Sequence, residues 1–169
     1  MLELFASPAA VVACVGRADA LDALAVPTAF AARVAPDELL LFGPRGGAAE
    51  LERAAGALLE DDPDGLVVDQ SSGWSCWSLA GDECDEAFAR LSAVPLPAER
   101  PAFLQGAVAG VQAKVLARGA RLDVLVLSTV GHHLRRRVLS ACRDLELREL
   151  PPRELELPAA AAVAGPESA

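Results

Sequence analysis

The sequence predicts an α+β fold: a single domain of two related ββαβ-type halves, with antiparallel sheets and helices packed on them. Three observations predict it. A hairpin, helix and strand follow one another over residues 28–69, and the same order returns over 106–150. A further strand and helix, 74–92, lie between them. The connections are short, which favours antiparallel neighbours in a layered α+β domain. The 169 residues suit one domain that buries a core without disulfide or metal staples.

Each element has a local reason. Residues 1–27 are Ala-rich with sparse charge and read as an N-terminal extension: an extended segment, then a short helical turn closed by Pro27. Residues 28–34 are β-like, and Ala35-Pro36-Asp37-Glu38 is a turn, because Pro sets φ and Asp bonds the bend. Leu39-Leu40-Leu41-Phe42, stopped by Gly43-Pro44, completes a hairpin. Over 47–60, Leu51, Ala54, Ala55, Leu58 and Leu59 fall on one helical face. Asp61-Asp62-Pro63-Asp64-Gly65 ends that helix, and 66–69 is a strand. The strand 74–79 has no purely polar face, so it is covered on both sides or lies at an interface. Gly81-Asp82 turns the chain into a helix over 83–92, with Asp82 as N-cap. After a Pro-rich link, 106–117 reads as one strand, 118–120 as a turn and 122–127 as an apolar strand. A helix over 130–142 and a strand within 145–150 close the domain, which spans 28–150. The Pro/Ala-rich stretch 151–169 reads as a mobile tail.

Composition excludes several functions. The net charge of −9 and 4% aromatic content argue against phosphate-backbone binding and base stacking, so no nucleic acid partner is expected. Lys114 is the only lysine, which argues against Schiff-base and P-loop chemistry. Cys14, Cys76, Cys84 and Cys142 show no C-x-x-C spacing and read as reduced, buried thiols of a cytoplasmic protein. No metal site is expected, because the adjacent His132 and His133 point about 100° apart on a helix. No apolar run reaches about 18 residues, so no membrane span is expected. Dinucleotide, Walker, nucleophile-elbow and zincin motifs are all missing, and no catalytic residue is assigned.

Three places remain as candidates. The bend Asp69-Gln70-Ser71-Ser72-Gly73 sets a carboxylate beside hydroxyls at strand ends. It reads as a polar-ligand site or as a turn whose side chains bond their own backbone. Asp69, Ser71, Ser72 and Arg118 are the ligand-binding candidates. Trp74 and Trp77 read as core or as partner-facing anchors. Arg135, Arg136 and Arg137 read either as cations complementing a helix C-terminus or as a surface for an acidic partner.

The order of several segments resembles a known family. Val34 to Pro44, with Ala35-Pro36-Asp37-Glu38-Leu39-Leu40-Leu41, resembles the L-G-P-D-E-W-L-L segment of the gamma subunit of heterotetrameric sarcosine oxidase, with Leu39 in place of Trp. Val67-Val68-Asp69-Gln70-Ser71 resembles its V-V-D-x-S, and Trp77-Ser78-Leu79-Ala80-Gly81 its next strand. The Leu/Pro-rich link to Phe103-x-x-Gly106 also fits, so the resemblance covers roughly 28–149. That family is similar to the aminomethyltransferase, folate-binding superfamily, whose members use an acidic residue on the strand after the second helix. Here Gly106 to Val115 holds no Asp or Glu, and the K-G-C-Y-x-G-Q pattern of the iron–sulfur-assembly folate proteins is missing. The resemblance implies a non-catalytic subunit of a folate-linked, amine-demethylating flavoenzyme complex in one-carbon metabolism. Its partners would be the large and small subunits, with FAD, FMN, NAD and tetrahydrofolate held there. The alternative is a stand-alone tetrahydrofolate or small-acid binding protein, and a third class, an independent transferase, lacks the acid.

Overall fold

A computed structural model describes residues 1–157; of the mobile tail expected over 151–169, residues 158–169 lie outside the described residues, and 151–157 are held instead, the Arg153 amide donating to the Ala6 carbonyl at 3.0 Å and Leu155 being buried. The fold is α+β, with helices packed on antiparallel sheets that include one parallel pair. Within it the chain forms two compact units. Unit two is Ala9–Ser71 with the residues from Glu154, and unit one is Met1–Pro8 with Ser72–Arg153.

Unit two is built from β2 (Ala9–Val15), α1 (Ala18–Asp22), β3 (Phe30–Ala35), β4 (Glu38–Pro44), α2 (Ala48–Leu58) and β5 (Leu66–Asp69). Its four-stranded sheet has the order β3-β4-β2-β5, all antiparallel. The hairpin expected for 28–44 is present, and of the expected helix stripe Leu51, Ala55 and Leu59 are buried, whereas Leu58 is exposed at the end of α2. Val12, Cys14, Leu39 and Leu41 pack with Leu21, Leu51, Ala55 and Leu59 in one core. Burying a side chain such as Leu51 contributes about 2 kcal/mol. On the opposite sheet face, Val11, Ala13, Phe30, Leu40 and Phe42 are buried as well. Burial on both faces explains continuous apolar strands where a half-exposed sheet would alternate.

Unit one is built from β1 (Leu2–Ala6), β6 (Trp74–Ala80), α3 (Cys84–Leu91), β7 (Ala102–Val108), β8 (Val111–Arg118), β9 (Arg121–Leu127), α4 (Gly131–Ala141) and β10 (Leu147–Glu149). The sheet order is β10-β1-β6-β9-β8-β7, and β1 pairs parallel with β10. Phe88 and Leu91 of α3 and Leu134 and Val138 of α4 cover Leu4, Leu79, Val115, Leu122 and Val124 on one sheet face.

Both units share a βαββαβ element order, β2-α1-β3-β4-α2-β5 and β6-α3-β8-β9-α4-β10, and in unit two the last strand neighbours the first. In unit one, β1 inserts between the last strand and the first, and β7 is added at the edge. The two halves are therefore related, and three expectations about their limits need correction. Residues 1–27 are not an extension outside the domain, because β1 and β2 are interior strands of the two sheets. The stretch 106–117 is not one strand. A two-residue turn at Ala109-Gly110 divides it, both residues having positive φ (55° and 82°), the conformation a tight hairpin requires. Asp82 is not the N-cap of α3; Glu83 holds that place, with no side-chain capping bond.

No helix among the described residues is long and apolar enough to cross a membrane.

Candidate functional site

In unit two, Asp69 and Ser71 are brought together by the end of β5. Asp69 Oδ1 accepts from the Ser71 amide at 2.8 Å and from its hydroxyl at 2.5 Å. Ser71 Oγ accepts in turn from the Val11 amide at 2.9 Å. These bonds form a side-chain-closed turn. The Ser71 hydroxyl, then its amide, holds the Asp69 carboxyl below its ordinary range. Ser72 is exposed and belongs to unit one.

Arg118 also lies in unit one, where it pairs with Asp123. That pair belongs to a buried polar cluster on the sheet face opposite α3 and α4. The two-residue turn Gly119-Ala120 sets Arg118 directly across from Arg121, and Asp123 lies two residues further along the same face. Arg118 Nε donates to Asp123 Oδ2 at 3.1 Å, and Arg118 Nη2 donates to the same oxygen. Arg121 Nε donates to Oδ1 at 2.9 Å, and Ser78 Oγ donates to Oδ1 at 2.5 Å. With its proton given to Asp123, Ser78 accepts from Ser7 Oγ at 2.6 Å. Ser7, Ser78 and Asp123 are wholly buried, and the two arginines nearly so. Arg121 and Arg153 also lie over the Phe5 ring, 5.2 and 4.9 Å from its centroid. The carboxylate is thus neutralised by two guanidiniums and saturated with donors. The arrangement fixes strands; it offers no nucleophile or base to a substrate.

Sequence reasoning missed Asp123, Arg121 and the two serines. The turn did carry a signal, since pairing Arg118 with Arg121 across Gly119-Ala120 puts Asp123 on their face. Ser78, in β6, and Ser7, just after β1, lie 45 and 116 residues from Asp123 along the chain and carry none.

Trp77 is half-buried against the α-helical core of unit one, and Trp74 is half-buried at the start of β6. Cys76 and Ser78 are buried on the opposite face, so β6 is covered on both sides. Arg135 makes a two-pronged pair with Glu149, at 2.5 and 2.6 Å, while Arg136 and Arg137 are exposed. The last turn of α4 contains no cation, which corrects the reading of Arg135–Arg137 as a helix-end feature.

The thiols offer no reactive centre. Burial pushes Cys14 up to about 12 and Cys84 up to about 11. Burial, then the charge of Asp123, raises Cys76 well above its ordinary value. No group of three or more His, Cys, Asp or Glu among the described residues could hold a metal ion. A cavity of about 280 Å³ beside α3 is lined by Asp85, Phe88, Ser92, Val94 and Leu96, among others. Asp85 is engaged by Arg100 at 2.6 Å, and the Ser92 hydroxyl by the Ala107 carbonyl at 2.8 Å.

The fold is aminomethyltransferase-like. The chain is similar to one from the heterotetrameric sarcosine oxidase of Corynebacterium sp. U-96, solved with pyrrole 2-carboxylate, with a TM-score of 0.73 and 17% identity. That likeness covers 88% of this chain and 87% of the other. It is also similar to the glycine cleavage system aminomethyltransferase T of Bartonella henselae, with a TM-score of 0.65 and 12% identity over 88% of this chain. The chain spans 47% of that enzyme's length. A third likeness, with a TM-score of 0.51 and 12% identity, is to the regulatory subunit of aspartate kinase from Thermus thermophilus, covering 83% of this chain and 97% of that one. No family model matches the chain, and no curated protein matches it. At these identities the likeness shows the fold.

Proposed function

We propose that the chain is a non-catalytic subunit of a sarcosine-oxidase-like, folate-linked complex that demethylates a secondary amine in the cytoplasm. It would correspond to the gamma subunit, with large and small subunits carrying FAD, FMN, NAD and tetrahydrofolate. One observation carries the reading: a chain of a heterotetrameric sarcosine oxidase matches this one over nearly the full length of both. The composition of the strands after α3 adds support. β7 and β8 carry no Asp or Glu, and the buried carboxylate of Asp123 is already held by two arginines. Strands β7 and β8 without an acid, beside a carboxylate already paired, suit a supporting role better than a proton-transfer role.

The test is the native mass of the chain purified alone and after co-expression with its genomic neighbours. A large flavin-coloured assembly containing the chain is the expected result. A free chain of 17.5 kDa in both preparations overturns the proposal. Tetrahydrofolate titrated into the chain alone then tests the alternative. Saturable heat, weakened by Asp69→Ala, is its signature.

A further inference from the structure

The two units carry very different charge. Unit one contains eleven basic and ten acidic residues, whereas residues 9–71 of unit two contain four basic and eleven acidic. Positive charge in unit one concentrates on α4, whose sequence GHHLRRRVLSA holds three arginines, two histidines and no acid. Leu134 and Val138 face the core, while His132, His133, Arg136 and Arg137 are exposed, as is Arg143 just beyond the helix.

Three carboxylates near this face are engaged by other arginines. Glu149 is taken by Arg135, and Asp144 and Glu86 by Arg90 at 2.5 and 2.9 Å. Among the described residues, Arg136, Arg137 and Arg143 are left with no ion pair. The helix dipole does not account for Arg136 and Arg137, because they precede the last turn. Clustered like charges repel, so this face disfavours the isolated chain and is relieved by an anion from outside.

We propose that the exposed face of α4, centred on Arg136 and Arg137 and extended by Arg143, docks an acidic surface of a partner protein. Three other anions fit less well. A nucleic acid or an anionic membrane is an extended polyanion that a chain of net charge −9 repels. A small anion needs a concave site, and a helix face is convex. The reading rests on the proposed subunit role and adds which face meets the partner and by what chemistry. Arginines at such a rim speed encounter and set partner choice, and their effect is screened by salt.

The test compares wild type with Arg136→Glu/Arg137→Glu, each co-expressed with the genomic neighbours and sized at low and high salt. Both substitutions are exposed, and an unchanged melting temperature establishes that the variant folds. The expected result is a wild-type complex whose affinity falls with salt, and a variant bound at least about tenfold more weakly. Equal assembly of both forms overturns the α4 inference and leaves the subunit role standing. If the wild type assembles with no neighbour, the subunit role fails. The face is then tested by fluorescence anisotropy with a Glu-rich helical peptide. Binding that the variant abolishes supports the inference, and no binding overturns it. Self-association of the chain that the variant abolishes also overturns it, because the occupant is then a second copy.

Discussion

Replacing Asp123 by Ala removes the one anion between two arginines whose side chains are only 14% and 17% exposed. The aspartate accepts from Arg118 through two nitrogens, from Arg121 Nε and from Ser78 Oγ. The variant leaves two guanidiniums unneutralised and a buried hydroxyl without its acceptor. Breaking a fully buried pair costs about 3–5 kcal/mol, and the edge each guanidinium keeps in solvent places this case near about 3. For a chain of this size each kcal/mol lowers the melting temperature by about 2–4 °C, so the expected drop is about 6–12 °C. Circular dichroism melts of wild type, Asp123→Ala and Arg136→Ala measure it, the last as an exposed control expected to stay within about 0.5 kcal/mol. A triple variant, Asp123→Leu with Arg118→Met and Arg121→Met, removes all the charge and is expected to recover most of the loss. An Asp123→Ala protein melting within about 2 °C of wild type would refute the view that this cluster fixes the sheet.

Further expectations follow from other parts of the fold. The Arg17 amide, opposed by a smaller effect of burial and aided by the Asp64 amide, holds the Asp62 carboxyl below its ordinary range. Its stabilisation is therefore complete above the unfolded carboxylate value of about 4 and is lost as pH falls through the lower folded value. Asp62→Asn should be less stable than wild type at pH 7 and should converge with it in acid, as urea titrations at several pH values will record. The four thiols are buried, so a thiol reagent should label none of them rapidly in the native protein and all four in denaturant; a fast-reacting native thiol would contradict this. Gly81 has φ of +121°, and a Cβ there would stand 2.2 Å from the Met1 carbonyl oxygen. Gly81→Ala should cost at least about 2 kcal/mol, read as a lowered denaturation midpoint.

Much of the fold was legible because local rules act locally. The Pro36-Asp37 turn, the Leu51–Leu59 stripe and the Gly119-Ala120 turn each lie within one element or one connection. The Ala109-Gly110 turn was hidden because Ala replaces the Asn or Asp that normally announces positive φ at its first position. The interior placing of β1 was hidden because its partners, β6 and β10, lie about 70 and 145 residues away along the chain. Of the site candidates, the Asp69–Ser71 association was readable as an Asx turn. The capture of Arg118 by Asp123 follows from register, which a turn sets and composition does not.

The position of β1 also orders events during synthesis. It emerges well before its two neighbours in the sheet, which are completed only at residues 80 and 149. Residues 9–71 contain every strand of the four-stranded sheet, so its pairing does not wait for the later strands. The first strand must meanwhile wait with both edges unpaired, an apolar LELFA segment of the kind that pairs with whatever edge it meets. Translation pausing between residues 80 and 147 would leave β1 closed on one side only. Pairing with the short strand β10 closes the remaining edge of β1 and so ends that strand's exposure to misassembly.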